Sequence, residues 1–279
     1  ISLSSQDSET YCIQLLDNTG VIFSDLDETL IPSKTIISPD MAVEISRLLA
    51  KKQIVVITGG LFQTIKKNLL DWLPPGTNFS NLTFLPILGN EIWLYNSISW
   101  EYELFSEKKE AVMGMEDIQI LEDAIEKAIN NFWHPDHLFG DMIEKRWSRS
   151  VLSISVSYFG QTVPKKYEHL KKEWDISRSK RTGLIELIKS YIPPHMLEVY
   201  DFQIGGSTSI DIIKKWFDKS TGIKHYLSSD IHPGIDKKDM VAIGDSCDIN
   251  GNDYPMSKVV SNLIHVLSPD DTYQLFSKI

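Results

Sequence analysis

Cysteine is nearly absent from this chain of 279 residues: Cys12 and Cys247 are the only two, too few for a disulfide framework or a zinc-ligand cluster. Basic charge is short as well. Lys and Arg number 28 against 38 Asp and Glu, a formal net charge of −10, which argues against a nucleic-acid protein with its basic face. An anionic small molecule stays open as a substrate, because a few N–H groups, one Lys and a metal outweigh distant charge. Long hydrophobic runs are missing too. The longest aliphatic run, residues 54–57, falls far short of the ~18 apolar residues of a membrane span, so no membrane partner is expected. The opening ISLSSQDSETYC has neither a basic start nor an apolar stretch, so no signal peptide is read and the cytoplasm is the expected location. What is present, 42% hydrophobic and 24% charged residues, suits a packed globular protein of one large domain or two modest ones.

Residues 21–25 (VIFSD) read as a buried strand and 53–58 (QIVVIT) as a second, ended by Gly59 and Gly60. Between them Ser38-Pro39-Asp40 opens a helical pattern, with Ser as N-cap and Pro at the first helical position. Another helix-like stretch follows Gly60 to about Trp72. Apolar strands alternating with helices predict an α/β fold, a parallel sheet covered on both faces. The texture changes near Ser97: residues 107–131 and 165–191 are helix-rich, 151–158 (VLSISVSY) alternate like a half-solvated strand, and 201–213 return to strand character. The α/β pattern then resumes with a helix at 218–227, strands at 240–244 (MVAIG) and 262–266, and a closing helix at 270–277. The economical account is a catalytic core at 1–96 and 214–279, split by an α+β insertion at 97–213.

The chemistry-bearing residues sit at the ends of these elements. Asp25-Leu26-Asp27-Glu28-Thr29 follows the first strand, where ligands bind in open α/β sheets. Two carboxylates spaced i, i+2 can divide labour there, one as nucleophile and one as acid and base; an acidic helix cap is the plainer reading. Thr58 with Gly59 and Gly60 offers a hydroxyl and N–H groups suited to a phosphate oxygen. Asp218-Lys219 stands at a helix start, and a Lys there neutralises both a carboxylate and a phosphoryl group. The run Gly244-Asp245-Ser246-Cys247-Asp248-Ile249-Asn250-Gly251-Asn252-Asp253 clusters hard oxygen ligands suited to Mg²⁺.

Taken in order, DxDxT, Thr, Lys and the acidic loop resemble the haloacid dehalogenase superfamily. Within it the likeness is to the branch with a cap inserted after the second motif, and there to the eukaryotic-type phosphomannomutases. Those enzymes carry Gly-Gly-Gln-x-Ser-Phe-Asp-Val and then Gly-Trp-Asp-Lys; this chain has Gly205-Gly206-Ser207-Thr208-Ser209-Ile210-Asp211-Ile212 and then Trp216-Phe217-Asp218-Lys219. The resemblance runs from about residue 20 to the C-terminus. It implies a Rossmann-like core and an inserted cap that closes over the site. It implies Asp25 as nucleophile, Asp27 as general acid and base, and Thr58 and Lys219 on the transferring phosphoryl group. It further implies Mg²⁺ held by Asp25, the Asp27 carbonyl and Asp245, with Asn252 and Asp253 ordering its surroundings, and substrate contacts from Lys34, Gly59, Ser209 and Asp211. The family often pairs through its caps; no stretch here reads as a dimer seam, and a homodimer stays open.

Departures shape the expected activity. A substrate-binding Arg of the family falls on Lys34, one cap Arg becomes Gln161, another falls on Ser150 beside Arg149, and the family's Gly and Ser become Glu28 and Leu61. A mutase holds a phosphate at either end of its sugar, and Arg forks do this better than Lys. The leading reading is therefore a Mg²⁺-dependent phosphatase of a sugar phosphate or similar small phosphomonoester, with a phosphohexomutase as alternative. A non-catalytic interaction protein is the third reading, disfavoured because Asp25, Asp27, Lys219 and Asp245 are all present. His134 and His137 lack a third ligand, Trp93, Tyr95, Trp100, Tyr102 and Phe105 read as hinge packing, and Lys171-Lys172 and Lys180-Arg181 read as a solvated face.

Overall fold

The computed structural model describes residues 1–3, 5–33, 35–132, 135–147, 149–205, 208–231 and 235–279. Along the chain come α1 (Gln6–Asn18), β1 (Val21–Ser24), α2 (Pro39–Leu48), β2 (Gln53–Ile57), α3 (Phe62–Asn68), β3 (Leu82–Leu85), β4 (Glu91–Asn96) and β5 (Glu101–Glu107). Next are α4 (Met115–Asn130), β6 (Ile143–Trp147), β7 (Val151–Ser157), α5 (Glu168–Trp174), α6 (Ser179–Tyr191), α7 (Met196–Val199), β8 (Tyr200–Gly205) and β9 (Ser209–Lys214). Then follow α8 (Lys219–Leu227), β10 (Met240–Gly244), β11 (Leu263–His265) and α9 (Pro269–Phe276). Two compact units result: Ile1–Lys108 with Phe217–Ile279, and Lys109–Trp216.

The larger unit is built on a seven-stranded sheet of order β11-β10-β1-β2-β3-β4-β5. It is parallel from β11 to β3, and β4 and β5 add antiparallel strands at one edge. Both faces are covered, which is why its parallel strands are apolar at successive positions rather than alternating. Ile22, Ile54, Val56 and Ile243 pack against Leu16 of α1, Ile45 of α2, Ile65 of α3 and Phe276 of α9. Phe23, Val55, Ile57 and Ala242 pack on the other side against Ile223 and Tyr226 of α8. After β1 the chain adds strands in one direction as far as β5, then returns to the other side of β1 with β10. That reversal opens the crevice where α/β sheets bind ligands.

The smaller unit has a four-stranded antiparallel sheet, β6-β7-β9-β8, with α4 and α6 packed on the face formed by Ile154, Val156, Ile210 and Ile212. The fold is thus α/β with a parallel-rich sheet and a separate antiparallel one.

Several expectations are corrected. The chain divides after Lys108 rather than near Ser97, because β4 and β5 stay in the larger sheet. The aromatics there are sheet packing: Trp93 stacks on Phe62 with ring centroids 4.0 Å apart, and Tyr102 meets Phe84 at 4.9 Å, while Trp100 and Phe105 are exposed. β7 alternates between faces as predicted, but Ser153, Ser155 and Ser157 are buried rather than solvated. Ser155 accepts from Arg146 at 2.9 Å, and Ser157 donates to the Gly160 carbonyl at 2.9 Å. Lys171 and Arg181 are also buried, not a solvated face. Arg181 donates to Asp175 at 2.8 Å and to the Gly205 carbonyl at 3.1 Å, the pairing that a buried charge requires. His134 lies outside the described residues, and His137 is exposed beside the rings of Phe139 and Tyr167.

Candidate active site

The site is assembled at the carboxyl ends of β1, β2 and β10. Register pairs Ser24 of β1 with Val56 of β2 and with Ile243 of β10, so all three strands end at one edge. The Asp25 N–H continues the ladder by donating to the Ile243 carbonyl at 3.0 Å, and the residue is 5% exposed. The chain then turns sharply. Leu30 N–H donates to the Leu26 carbonyl at 2.9 Å, and Glu28 N–H to the Ile31 carbonyl at 2.7 Å. Glu28 occupies the left-handed region at φ 58°, a conformation costing a side-chain-bearing residue about 1 kcal/mol. Its carboxylate accepts from Ser33 N–H at 3.0 Å, which ties the turn together. Asp27 is half-buried within this turn, bridged to Ile31.

Lys219 reaches Asp25 because α8 starts beside it. Asp218 caps the helix, accepting from Ser220 N–H at 2.9 Å and Thr221 N–H at 3.1 Å, and the Thr221 hydroxyl accepts from Asp218 N–H in return. The helix can approach so closely because Gly222 faces Leu88 and Gly89; a Cβ on it would lie 2.2 Å from the Leu88 carbonyl. An ammonium in the first turn of a helix opposes the macrodipole. Here it is outweighed: Lys219 Nζ is fully buried and lies 2.5 Å from Asp25 Oδ1 and 2.5 Å from Asp253 Oδ1. Asp253 is placed by its own loop, accepting from Ser246 N–H at 2.9 Å and lying against Gly244, where a Cβ would come 2.5 Å from the carboxyl carbon.

Asp25, Asp245 and Asp253 each offer an oxygen, all within 4.8 Å of one another. Burial raises the Asp25 carboxyl well above the usual range; the Lys219 ammonium opposes this, and the Asp253 and Asp245 carboxylates add to it. Burial, and then Asp253, push Asp245 up to about 6. Burial works against the charge of Lys219, but Asp25 and Asp253 prevail and hold its ammonium above the ordinary value. Three carboxylates against one ammonium leave two negative charges in excess, the charge of one divalent cation. Hard oxygens suit Mg²⁺, whose octahedral ligands span about 4 Å, and Asn252 adds a buried Oδ1 that has no hydrogen-bond partner among the described residues. The donor set therefore fits the ion.

The remaining predicted residues fall as follows. Thr58 directly follows β2, buried, its backbone N–H donating to the Leu85 carbonyl at 3.2 Å and its hydroxyl accepting from Gly60 N–H at 3.1 Å, with Gly59 between them. Ser209 and Asp211 lie in the smaller unit on β9, where Asp211 is 3.1 Å from Arg146 Nη1. Gln161 donates to the Met142 and Ser155 carbonyls at 3.2 and 3.4 Å. Lys34 lies outside the described residues. Two residues escaped the sequence reading. The Thr29 hydroxyl stands 3.5 Å from Asp25 and 3.4 Å from Asp245, and its signal was its place at the end of the DxDxT run. Arg146 is the arginine of the smaller sheet, on the same face of β6 as Glu144, which it pairs at 3.1 Å. Alternation along β6 was the signal for it. The Cys247 thiol is pushed up to about 12 by burial, so it stands as an inert filler beside the loop.

Residues 118–272 match the haloacid dehalogenase-like hydrolases. The chain is 24% identical over 278 residues to phosphomannomutase 1 of Dictyostelium discoideum, covering 96% of this chain and 98% of that protein. It is 24% identical over 266 residues to phosphomannomutase of Saccharomyces cerevisiae, covering 94% of each. Among solved structures, N-terminally truncated, IMP-bound IMP-nucleotidase of Plasmodium falciparum matches with a TM-score of 0.64 at 19% identity, over 97% of this chain and 70% of that one. A haloacid dehalogenase-like hydrolase from Bacteroides thetaiotaomicron matches with a TM-score of 0.56 at 14% identity, over 93% and 98%. At such identities the structural matches speak for the fold. No helix among the described residues is long and apolar enough to cross a membrane.

Proposed function

The chain belongs to the haloacid dehalogenase-like hydrolases, and from that premise we propose that it is a Mg²⁺-dependent phosphatase of a sugar phosphate or similarly small phosphomonoester. The observation that carries the reading is Asp25: a carboxylate at a parallel-strand end, ion-paired to a buried Lys and within 4.8 Å of two further carboxylate ligands. Asp25 attacks phosphorus, and the ester oxygen leaves with a proton from the Asp27 carboxyl. Asp27, now ionised, takes a proton from water as the water oxygen attacks the aspartyl-phosphate, releasing phosphate and restoring Asp25. Lys219 and Thr58 hold the phosphoryl oxygens, and phosphoryl transfer depends chiefly on such positioning and charge neutralisation. Asp25, the Asp27 carbonyl and Asp245 would hold Mg²⁺, with Asn252 and Asp253 around them. When bound, the ion supplies positive charge against the charge developing on the phosphoryl group.

The similarity to phosphomannomutases over nearly the whole chain favours a second reading, a phosphohexomutase. The family's Arg positions that fall here on Lys34, Gln161 and Ser150 weigh against it, because Arg forks hold a second phosphate better than Lys or a neutral side chain. Phosphorus NMR with Mg²⁺ and mannose 1-phosphate, with and without a hexose bisphosphate primer, tests the choice, and mannose 6-phosphate and IMP complete the panel. Inorganic phosphate as sole product is the expected result. Primer-dependent mannose 6-phosphate would make the chain a mutase.

The raised carboxyls of Asp25 and Asp245 set a pH dependence for the metal. Each must lose its proton to bind the ion, so Mg²⁺ affinity rises with pH, steeply through about 6 where Asp245 titrates. Calorimetry in two buffers of different ionisation heat should find protons released on binding below that pH. Flat affinity from pH 5 to 8 would remove Asp25 and Asp245 as ligands.

A further inference from the structure

His265 closes β11, which pairs with β10 on one side, setting His265 opposite Gly244, and is bridged on the other by Ser2, with His265 N–H donating to the Ile1 carbonyl at 2.7 Å. Its Nε2 lies 2.9 Å from the backbone carbonyl oxygen of Asp245. A carbonyl oxygen only accepts, so Nε2 carries the ring proton. The peptide groups next to this one are fixed as well. The Gly244 carbonyl accepts from Val266 N–H at 3.0 Å and from the Cys247 thiol at 3.3 Å, and on the far side Ser246 N–H donates to the Asp253 carboxylate at 2.9 Å. With both peptide planes held, the Cα–Cβ bond of Asp245 has one direction, which brings its carboxylate 3.4 Å from the Thr29 hydroxyl and among the oxygens of Asp25 and Asp253. Beyond Asp245 the chain has no regular structure until residue 254, so its path depends on such point attachments. The imidazole is the side-chain attachment that reaches from the neighbouring strand.

We infer that His265 is a positioning residue that orients the Asp245 carboxylate toward a divalent cation through this hydrogen bond to the Asp245 carbonyl, an inference that rests on the metal reading proposed above. Partners that orient metal ligands typically carry a tenfold to hundredfold share of metal affinity. A role confined to stability would lower the melting temperature and leave that affinity unchanged.

Binding of Mn²⁺ to the full chain, followed by electron paramagnetic resonance without substrate, separates the two. His265→Ala should weaken Mn²⁺ by about tenfold or more and leave the substrate KM at saturating metal unchanged. His265→Gln, whose amide N–H₂ reaches about as far as Nε2, should recover most of the affinity, whereas His265→Asn, one methylene shorter, should not. Should the Ala variant fail to fold, the Gln and Asn pair carries the test. Wild-type affinity in the Ala variant, or equal affinity in the Gln and Asn variants, would overturn the assignment. Failure of the metal reading itself shows in the wild type, which would then take up no Mn²⁺, and that result overturns the inference too.

Discussion

Asp25→Asn should abolish turnover, by a factor on the order of 10⁴ or more as loss of a covalent nucleophile does, while the protein stays folded and becomes no less stable at neutral pH. Both halves follow from the same geometry. The amide preserves shape at a position 5% exposed and keeps the backbone bond to Ile243, but its nitrogen and neutral oxygen cannot form the aspartyl-phosphate. For stability the sign runs through burial. Asp25 has a folded pKa raised well above its unfolded value, so its contribution to stability is present at low pH and lost as pH rises through the folded pKa. Asn cannot ionise and is spared that loss, so the melting temperature of the variant relative to wild type, in EDTA, should climb with pH. Retained turnover would remove Asp25 as nucleophile. A variant that loses ground to wild type as pH rises would refute the burial argument.

How much of this was legible beforehand depends on whether a residue's environment is local. The strands VIFS, QIVVI and MVAIG declared themselves because a parallel strand buried on both faces is apolar at consecutive positions, whatever lies around it. α1 did not. Of its thirteen residues only Cys12 and Leu16 are buried, too thin a stripe to stand out as a helical period. β5 alternates exposed and half-buried positions, so it read as a change of texture rather than as an edge of the same sheet. Asp25, Lys219 and Asp245 could be picked out by motif order, but Asp253 was read only as a neighbour of the metal. Its 2.5 Å contact with Lys219 joins a loop to the start of α8, a meeting that no local spacing encodes. Arg181 is the sharpest case. A buried arginine and a surface one are the same letter, and only the fold supplies Asp175 and the Gly205 carbonyl that make its burial tolerable.

Lys219→Met should carry the largest stability cost of any single change at this site. Lys219 is fully buried between Asp25 and Asp253, with Asp245 close by. A methionine of similar length fills the space but leaves the carboxylates with no internal cation, and breaking a buried pair in this way costs about 3–5 kcal/mol. For a protein of this size that is a fall in melting temperature on the order of 10 °C. The deficit should depend on pH. Without the ammonium the Asp25 and Asp245 carboxyls shift further upward, so at the acid end of the range they are most nearly neutral and the variant lies nearest the wild type. As pH rises toward 8 they ionise in a site with no positive charge, and the gap widens. Added Mg²⁺ should narrow it, because a cation held by the same carboxylates replaces the lost charge. Thermal melts across pH 5 to 8, in EDTA and in Mg²⁺, read this directly. A deficit independent of pH, or none, would mean that the three carboxylates do not share one electrostatic site. Turnover should be lost at every pH, since Mg²⁺ can restore the charge balance but cannot replace an ammonium donor 2.5 Å from the nucleophile.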